Sequence, residues 1–168
     1  MWYAGLSLCA LLHMWLPVCY AAPLTIEQIK ADTKALSRTI LARIQQHPVQ
    51  LLSVYSRVEG LDFIPGNEPL DNLNSMDNSL IIFDLIFATL SGEEVAQIRN
   101  DLVNLRDLIQ YLGGMLGCQI ENSLSKDIQG RLAKEYAKSP YTIEMMAFDR
   151  LQQSLNSILD HLDHITVC

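Results

Sequence analysis

The sequence predicts an all-α fold: a four-helix bundle running up-up-down-down, with a short extra helix in the connection between its third and fourth helices. Three observations predict it. Apolar residues recur alternately three and four apart in four separate stretches, the spacing that lays a stripe along one face of a helix. No run alternates with period two between hairpin signals, so strands are not expected. The connections between the stretches run long, short, long.

The first stretch opens at Thr25, with Gln28 three residues on in the pattern of a capping box. Its stripe is Ile26, Ile29, Thr33, Leu36, Ile40 and Ile44, and Pro48 ends it. The second starts near Asp71 and carries Leu73, Met76, Leu80, Phe83, Phe87 and Leu90. The third opens on Ser91-Gly92-Glu93-Glu94, which also reads as a capping box, and carries Val95, Ile98, Leu102, Leu105, Ile109, Leu112 and Leu116. Gly113-Gly114 is expected to close its regular part. The fourth begins near Ser139-Pro140, with proline at a first-turn position, and carries Phe148, Leu151, Leu155, Ile158, Leu162 and Ile165.

Connection lengths set the helix directions. About 23 residues, 48–70, separate the first and second helices. A helix of about 21 residues is about 30 Å long, and only a long connection runs back along it. The second and third helices meet at Leu90-Ser91 and must be antiparallel. About 25 residues, 114–138, separate the third and fourth. Within them, Lys126 to Ala137 includes Ile128 and Leu132, and reads as a short helix over one end of the bundle. This order of connections is that of growth-hormone-like, long-chain cytokine bundles.

The first 24 residues stand apart, with no Asp, Glu, Lys or Arg before Glu27. An apolar stretch, Leu6 to Val18, runs into Cys19-Tyr20-Ala21 and then Ala22-Pro23. Cys19 and Ala21 supply the small residues a signal peptidase needs, so residues 1–21 read as a signal peptide and 22–168 as the secreted domain. An uncleaved anchor is the rival reading, but Pro17 interrupts the segment and no basic flank follows it. Cleavage removes Cys9 and Cys19 together with Trp2 and Trp15, leaving two cysteines, Cys118 and Cys168. An even pair in an oxidising compartment reads as one structural disulfide, closing a loop of about 50 residues. The chain-entropy model values such a bridge at roughly 4 kcal/mol.

Composition excludes several classes. Hydrophobic residues make up 49% and charged ones 18% of the 168 residues, which fits one compact domain and not a disordered chain. The net charge of −7 opposes nucleic-acid binding and attraction to anionic membranes. There is no phosphate-binding glycine loop, G-x-S-x-G, H-E-x-x-H or zinc-spaced Cys/His set, so neither enzyme nor cofactor is expected. His161 and His164 lie i, i+3 between Asp160 and Asp163, but a third metal ligand is not evident, and histidines also suit a solvated helix end. Glu93 and Glu94 are accounted for by the helix N-terminus. No N-x-S/T sequon occurs, so N-glycosylation is not expected.

One segment departs from ordinary loop chemistry. Val58-Glu59-Gly60-Leu61-Asp62-Phe63-Ile64-Pro65-Gly66 sits in the first crossover and carries several apolar side chains. They either tuck under the loop onto the bundle or form an exposed anchor for a partner.

These residues resemble the leptins, a family of long-chain helical cytokines and adipose hormones. The resemblance covers essentially the whole chain and rests on Gly60-Leu61-Asp62-Phe63-Ile64-Pro65-Gly66, Asn100-Asp101-Leu102, Asn104-Leu105-Arg106-Asp107-Leu108, Arg150-Leu151-Gln152, Asp32-Thr33-Lys34, and Cys118 with the terminal Cys168. It implies a hormone of energy balance and feeding that binds the extracellular region of a class I cytokine receptor, the leptin receptor. By position, a first, high-affinity surface would use Asp32, Arg38, Thr39, Arg43, Gln97, Asn104, Asp107 and Leu108. A second, activating surface would use Leu61, Asp62, Phe63, Ile64, Tyr141 and Thr142. Ala35 and Ile143 depart from the family pattern, which has polar residues there. The resemblance further implies a secreted protein, monomeric when free, with no cofactor, nucleic-acid partner or membrane insertion after cleavage. Two other readings share parts of this pattern: a different long-chain cytokine with its own receptor, and an extracellular carrier of lipid or small apolar ligands.

Overall fold

The computed structural model describes residues 23–46, 60–121 and 126–166. The segment expected to be a signal peptide, Pro48 and Cys168 lie outside these residues. Within them the chain forms α1 (Ile26–Gln46), α2 (Leu73–Phe87), α3 (Glu93–Leu116), α4 (Lys126–Lys138) and α5 (Pro140–His161), followed by a 3-10 turn, Leu162–His164. No strand occurs among the described residues. None of the helices is long and apolar enough to cross a membrane.

The four bundle helices are α1, α2, α3 and α5, and they run up-up-down-down. Each of α1 and α2 packs against both α3 and α5. Cross-helix pairs fix the directions. Asp84 pairs with Arg99 and Asp77 with Arg106, so α2 is antiparallel to α3. Lys34 near the start of α1 pairs with Asp163 beyond α5, while Arg43 near the end of α1 pairs with Asp101 early in α3. The Phe87 and Phe148 rings meet edge-on with centroids 5.0 Å apart, late in α2 and early in α5. α4 packs against α5 and α2 at that end of the bundle.

The predicted stripes form the core. Ile29, Ile40, Met76, Phe83, Phe87, Ile98, Leu102, Leu105, Phe148, Leu151 and Leu155 are all buried. Thr33 and Ser37 share the interior by donating their hydroxyls to the carbonyls of Ile29 and Thr33, one turn back. Ile143 is also buried.

Helix ends follow local chemistry, with two corrections. Thr25 accepts the Gln28 amide at 3.2 Å, and Asn72 with Ser75 forms the capping box of α2. The box expected from Ser91 does not form. Gly92 takes the N-cap position at φ 129°, a conformation closed to most L-residues, and the helix starts one residue later with no side-chain cap. Nor does Gly113-Gly114 end α3. The helix continues to Gly117, whose φ of 74° reverses the chain. Its amide donates to Gly114 O and that of Cys118 to Gly113 O, the crossed bonds of a Schellman ending. Gly113 instead lets Ile120 approach closely: a Cβ there would lie 2.7 Å from the tip of the Ile120 side chain, which would have to shift.

Candidate functional site

On α1, Asp32, Thr39 and Arg43 are spaced i, i+7, i+11 and share one exposed strip. Arg38 is exposed too, but lies about 100° round the helix from Thr39 and is not part of that strip. On α3, Gln97, Asn104 and Leu108 repeat the i, i+7, i+11 spacing, with Asp107 on the adjoining strip. Gln97, Asn104 and Asp107 are exposed, whereas Leu108 is half-buried and packs against the core.

Asp101 joins the two strips, and the stripe pattern did not single it out. Its Oδ2 lies 2.8 Å from Arg43 Nε, an ion contact that is not an aligned hydrogen bond. Its Oδ1 accepts Gln97 Nε2 at 3.0 Å. One nearly buried carboxylate therefore holds a side chain of each helix at their seam. Tyr111 was also missed. It is half-exposed, and Asn104, Asp107 and Leu108 are its i−7, i−4 and i−3 neighbours on α3.

The crossover loop resolves the two accounts of its apolar residues. Leu61, Phe63 and Ile64 are buried, at 3%, 7% and 1% exposure. They belong to the core and are not exposed anchors, so the first of the two accounts holds for these three. The reason lies on α5. Arg150 is buried beneath the loop, and its Nη1 donates to the carbonyls of Leu61 at 2.6 Å and Ile64 at 2.7 Å. Burial lowers the Arg150 pKa from its ordinary value, and nearby Asp149 and Asp62 oppose that shift. Gly66 lies tight against the same residue: a Cβ there would sit 2.7 Å from Arg150 Cβ and from its carbonyl oxygen.

Asp62 alone of Leu61–Ile64 faces solvent, and α4 reaches it. Arg131 Nη2 donates to Asp62 Oδ1 at 2.8 Å, and its guanidinium carbon lies 5.0 Å from the centre of the Phe63 ring. The hydrogen bond from Arg131 holds the Asp62 carboxyl below its ordinary pKa. At the start of α5, Tyr141 is exposed. Thr142 is half-buried, with its hydroxyl 2.6 Å from that of Ser139. The start of α5 is thus available, but most of the loop's side-chain area is not.

At the opposite end of the bundle, a cleft of about 250 Å³ is lined by Asp71, Cys118, His161 and His164 among others. Cys118 is disulfide-bonded. His161 Nδ1 lies 2.8 Å from the Ser157 carbonyl. Among the described residues, no three or more His, Cys, Asp or Glu come together as metal ligands.

The model of a family described as Leptin matches residues 25–168. The leptin of Capra hircus is 39% identical over 153 residues, 90% of this chain and 92% of that protein. That of Sminthopsis crassicaudata is 38% identical over 150 residues, 89% and 90% of the two chains. That of Homo sapiens is 35% identical over 158 residues, 94% and 95% of the two. With whole-length likeness at this level and the helical bundle described above, the chain belongs to the leptin family.

Proposed function

We propose that the chain is a secreted hormone that binds the extracellular region of a class I cytokine receptor, the leptin receptor, and acts through it on energy balance and feeding. The observation that carries this reading is family membership spanning residues 25–168. Leptins are hormones and not enzymes. On this reading residues 1–21 are a removed signal peptide, 22–168 the mature hormone, and Cys118 pairs with Cys168. The free hormone is a monomer.

Tight binding uses the α1–α3 strips: Asp32, Thr39 and Arg43 with Gln97, Asn104, Asp107 and Leu108, and Arg38 at their edge. The exposure of all but Leu108 supports this, as does the way Asp101 ties Arg43 to Gln97. Activation uses Asp62 together with Tyr141 and Thr142, and brings a second receptor chain to the complex. Leu61, Phe63 and Ile64 serve by packing, since their burial fixes the backbone that carries Asp62.

Titration against the immobilised receptor ectodomain tests the first part. Asp107→Arg is expected to weaken binding at least about ten-fold, as misplaced charge does at an interface. Absence of saturable binding by the parent protein would remove the reading. Asp62→Ala with Tyr141→Ala tests the second part: binding is retained and a receptor-driven reporter stays silent.

A further inference from the structure

The crossover loop is held from inside mainly by its own side chains and by Arg150. Its three apolar side chains are buried, two of its carbonyls bond to Arg150, and the Ile64 amide closes a turn onto Leu61 O at 3.1 Å. Arg131 adds something different. It contacts Asp62, the only ionisable residue between Gly60 and Asn67, and lies across the Phe63 ring next to it. With Arg131 in place the Asp62 side chain is still three-quarters exposed, so Arg131 takes one carboxylate oxygen without enclosing the group.

We infer that Arg131 is an internal cover on the activating loop: its guanidinium takes one Asp62 carboxylate oxygen and lies over the adjoining ring face, and the receptor must displace it to use that oxygen. This rests on the reading of Asp62 as a receptor-activating residue. Arg131 then sets potency without setting affinity, because the α1–α3 strips lie elsewhere.

The pair is poised for displacement. Both side chains reach solvent, so the contact is screened and weak, and a competing receptor donor takes it over at small cost. The neighbouring Leu132 is buried and seats α4 independently of Arg131. Asp62 is a carboxylate at neutral and mildly acidic pH with or without Arg131, so the cover yields to competition by the receptor rather than to protonation.

The test is a receptor reporter assay on the full secreted protein, run beside ectodomain binding. Arg131→Ala is expected to lower the half-maximal concentration roughly three-fold, the scale of one exposed ion pair, with ectodomain affinity unchanged. Arg131→Lys keeps the charge and the reach to Asp62, and should restore a potency near the parent's. Asp62→Ala should be inactive, and adding Arg131→Ala to it should change nothing.

If Asp62→Ala is inactive but Arg131→Ala is no more potent than the parent, the cover is wrong and the loop assignment stands. If Asp62→Ala signals like the parent, the loop assignment falls and the cover falls with it. Tighter ectodomain binding by Arg131→Ala would also overturn the proposal, since the gain would then lie in affinity.

Discussion

Arg150 lies under the crossover loop and donates from Nη1 to the Leu61 carbonyl at 2.6 Å, with no carboxylate among its hydrogen-bond partners in the described residues. The same nitrogen reaches Ile64 O, so one buried donor satisfies two loop carbonyls. Arg150→Met would keep the apolar stem and take the donor from Ile64 O, worth about 1–3 kcal/mol when unpaired in an interior, while Leu61 O keeps the Ile64 amide. Removing a desolvated charge offsets part of that loss. A net destabilisation of about 2 kcal/mol is expected, read as a lower urea midpoint at unchanged slope. Midpoints equal within error would show that the two bonds contribute nothing net.

Gly66 and Gly60 bracket that loop and should respond differently to alanine. Gly66 sits at φ 121°, and its added Cβ would lie 2.7 Å from Arg150 Cβ and O, so neither partner gives way easily. Gly60 sits at φ 89° with only the end of the Glu135 side chain nearby, 3.6 Å away. Backbone strain alone costs about 1–2 kcal/mol, which is the expectation for Gly60→Ala. Gly66→Ala adds the clash and should exceed about 3 kcal/mol. Thermal unfolding of the two variants side by side decides the order. Equal losses would mean that the loop shifts away from Arg150 freely.

The bundle was legible in the sequence because its signal is local and periodic. Ile29, Ile40 and Ile44, or Ile98, Leu102 and Leu105, announce a buried face by spacing alone, and each is buried. Connection lengths then carried the directions that the Asp77–Arg106 and Lys34–Asp163 pairs record. Leu61, Phe63 and Ile64 were not legible in this way. An apolar loop has no period, and its destination depends on Arg150, 89 positions beyond Leu61. The α3 cap was misplaced because Ser91 and Glu94 fit a capping box, while the conformation of Gly92 overrides them. On the α1–α3 surface, the exposure of all but Leu108 followed from the stripes. Asp101 did not, since its role as the joint between Arg43 and Gln97 needs the two helices side by side.

Acid should weaken the fold slightly through two exposed aspartates. Lys34 bonds to Asp163 and Arg131 to Asp62, and each contact lowers the carboxyl pKa below its ordinary value of 3.8. A depressed folded pKa means that the unfolded chain takes up protons first. The stabilisation from these pairs is therefore complete above about pH 5 and is lost as pH falls through the folded values. Melting temperature followed from neutral pH downward should decline below about pH 4. Asp163→Asn and Asp62→Asn should each flatten the decline. An unchanged acid slope in the double variant would assign acid sensitivity to other carboxylates.

Lys30 and Lys34 stand one turn apart on α1 and hold the same turn beyond α5 by different means. Lys30 is 5% exposed and donates its ammonium to Ile165 O at 2.7 Å and Asp163 O at 3.4 Å. Lys34 pairs with the exposed Asp163 carboxylate. The chain past a helix end leaves carbonyls without helical partners, and here a neighbouring helix supplies the donor. Lys30→Met keeps the stem packed and strands the Ile165 carbonyl, so a loss of about 1–3 kcal/mol is expected. Amide exchange at residues 162–166 should quicken with it. Lys34→Met removes only a solvent-screened contact and should leave both readouts close to the parent's. If Lys34→Met were the more damaging variant, the tail would be held by its surface charge pair and not by the buried ammonium.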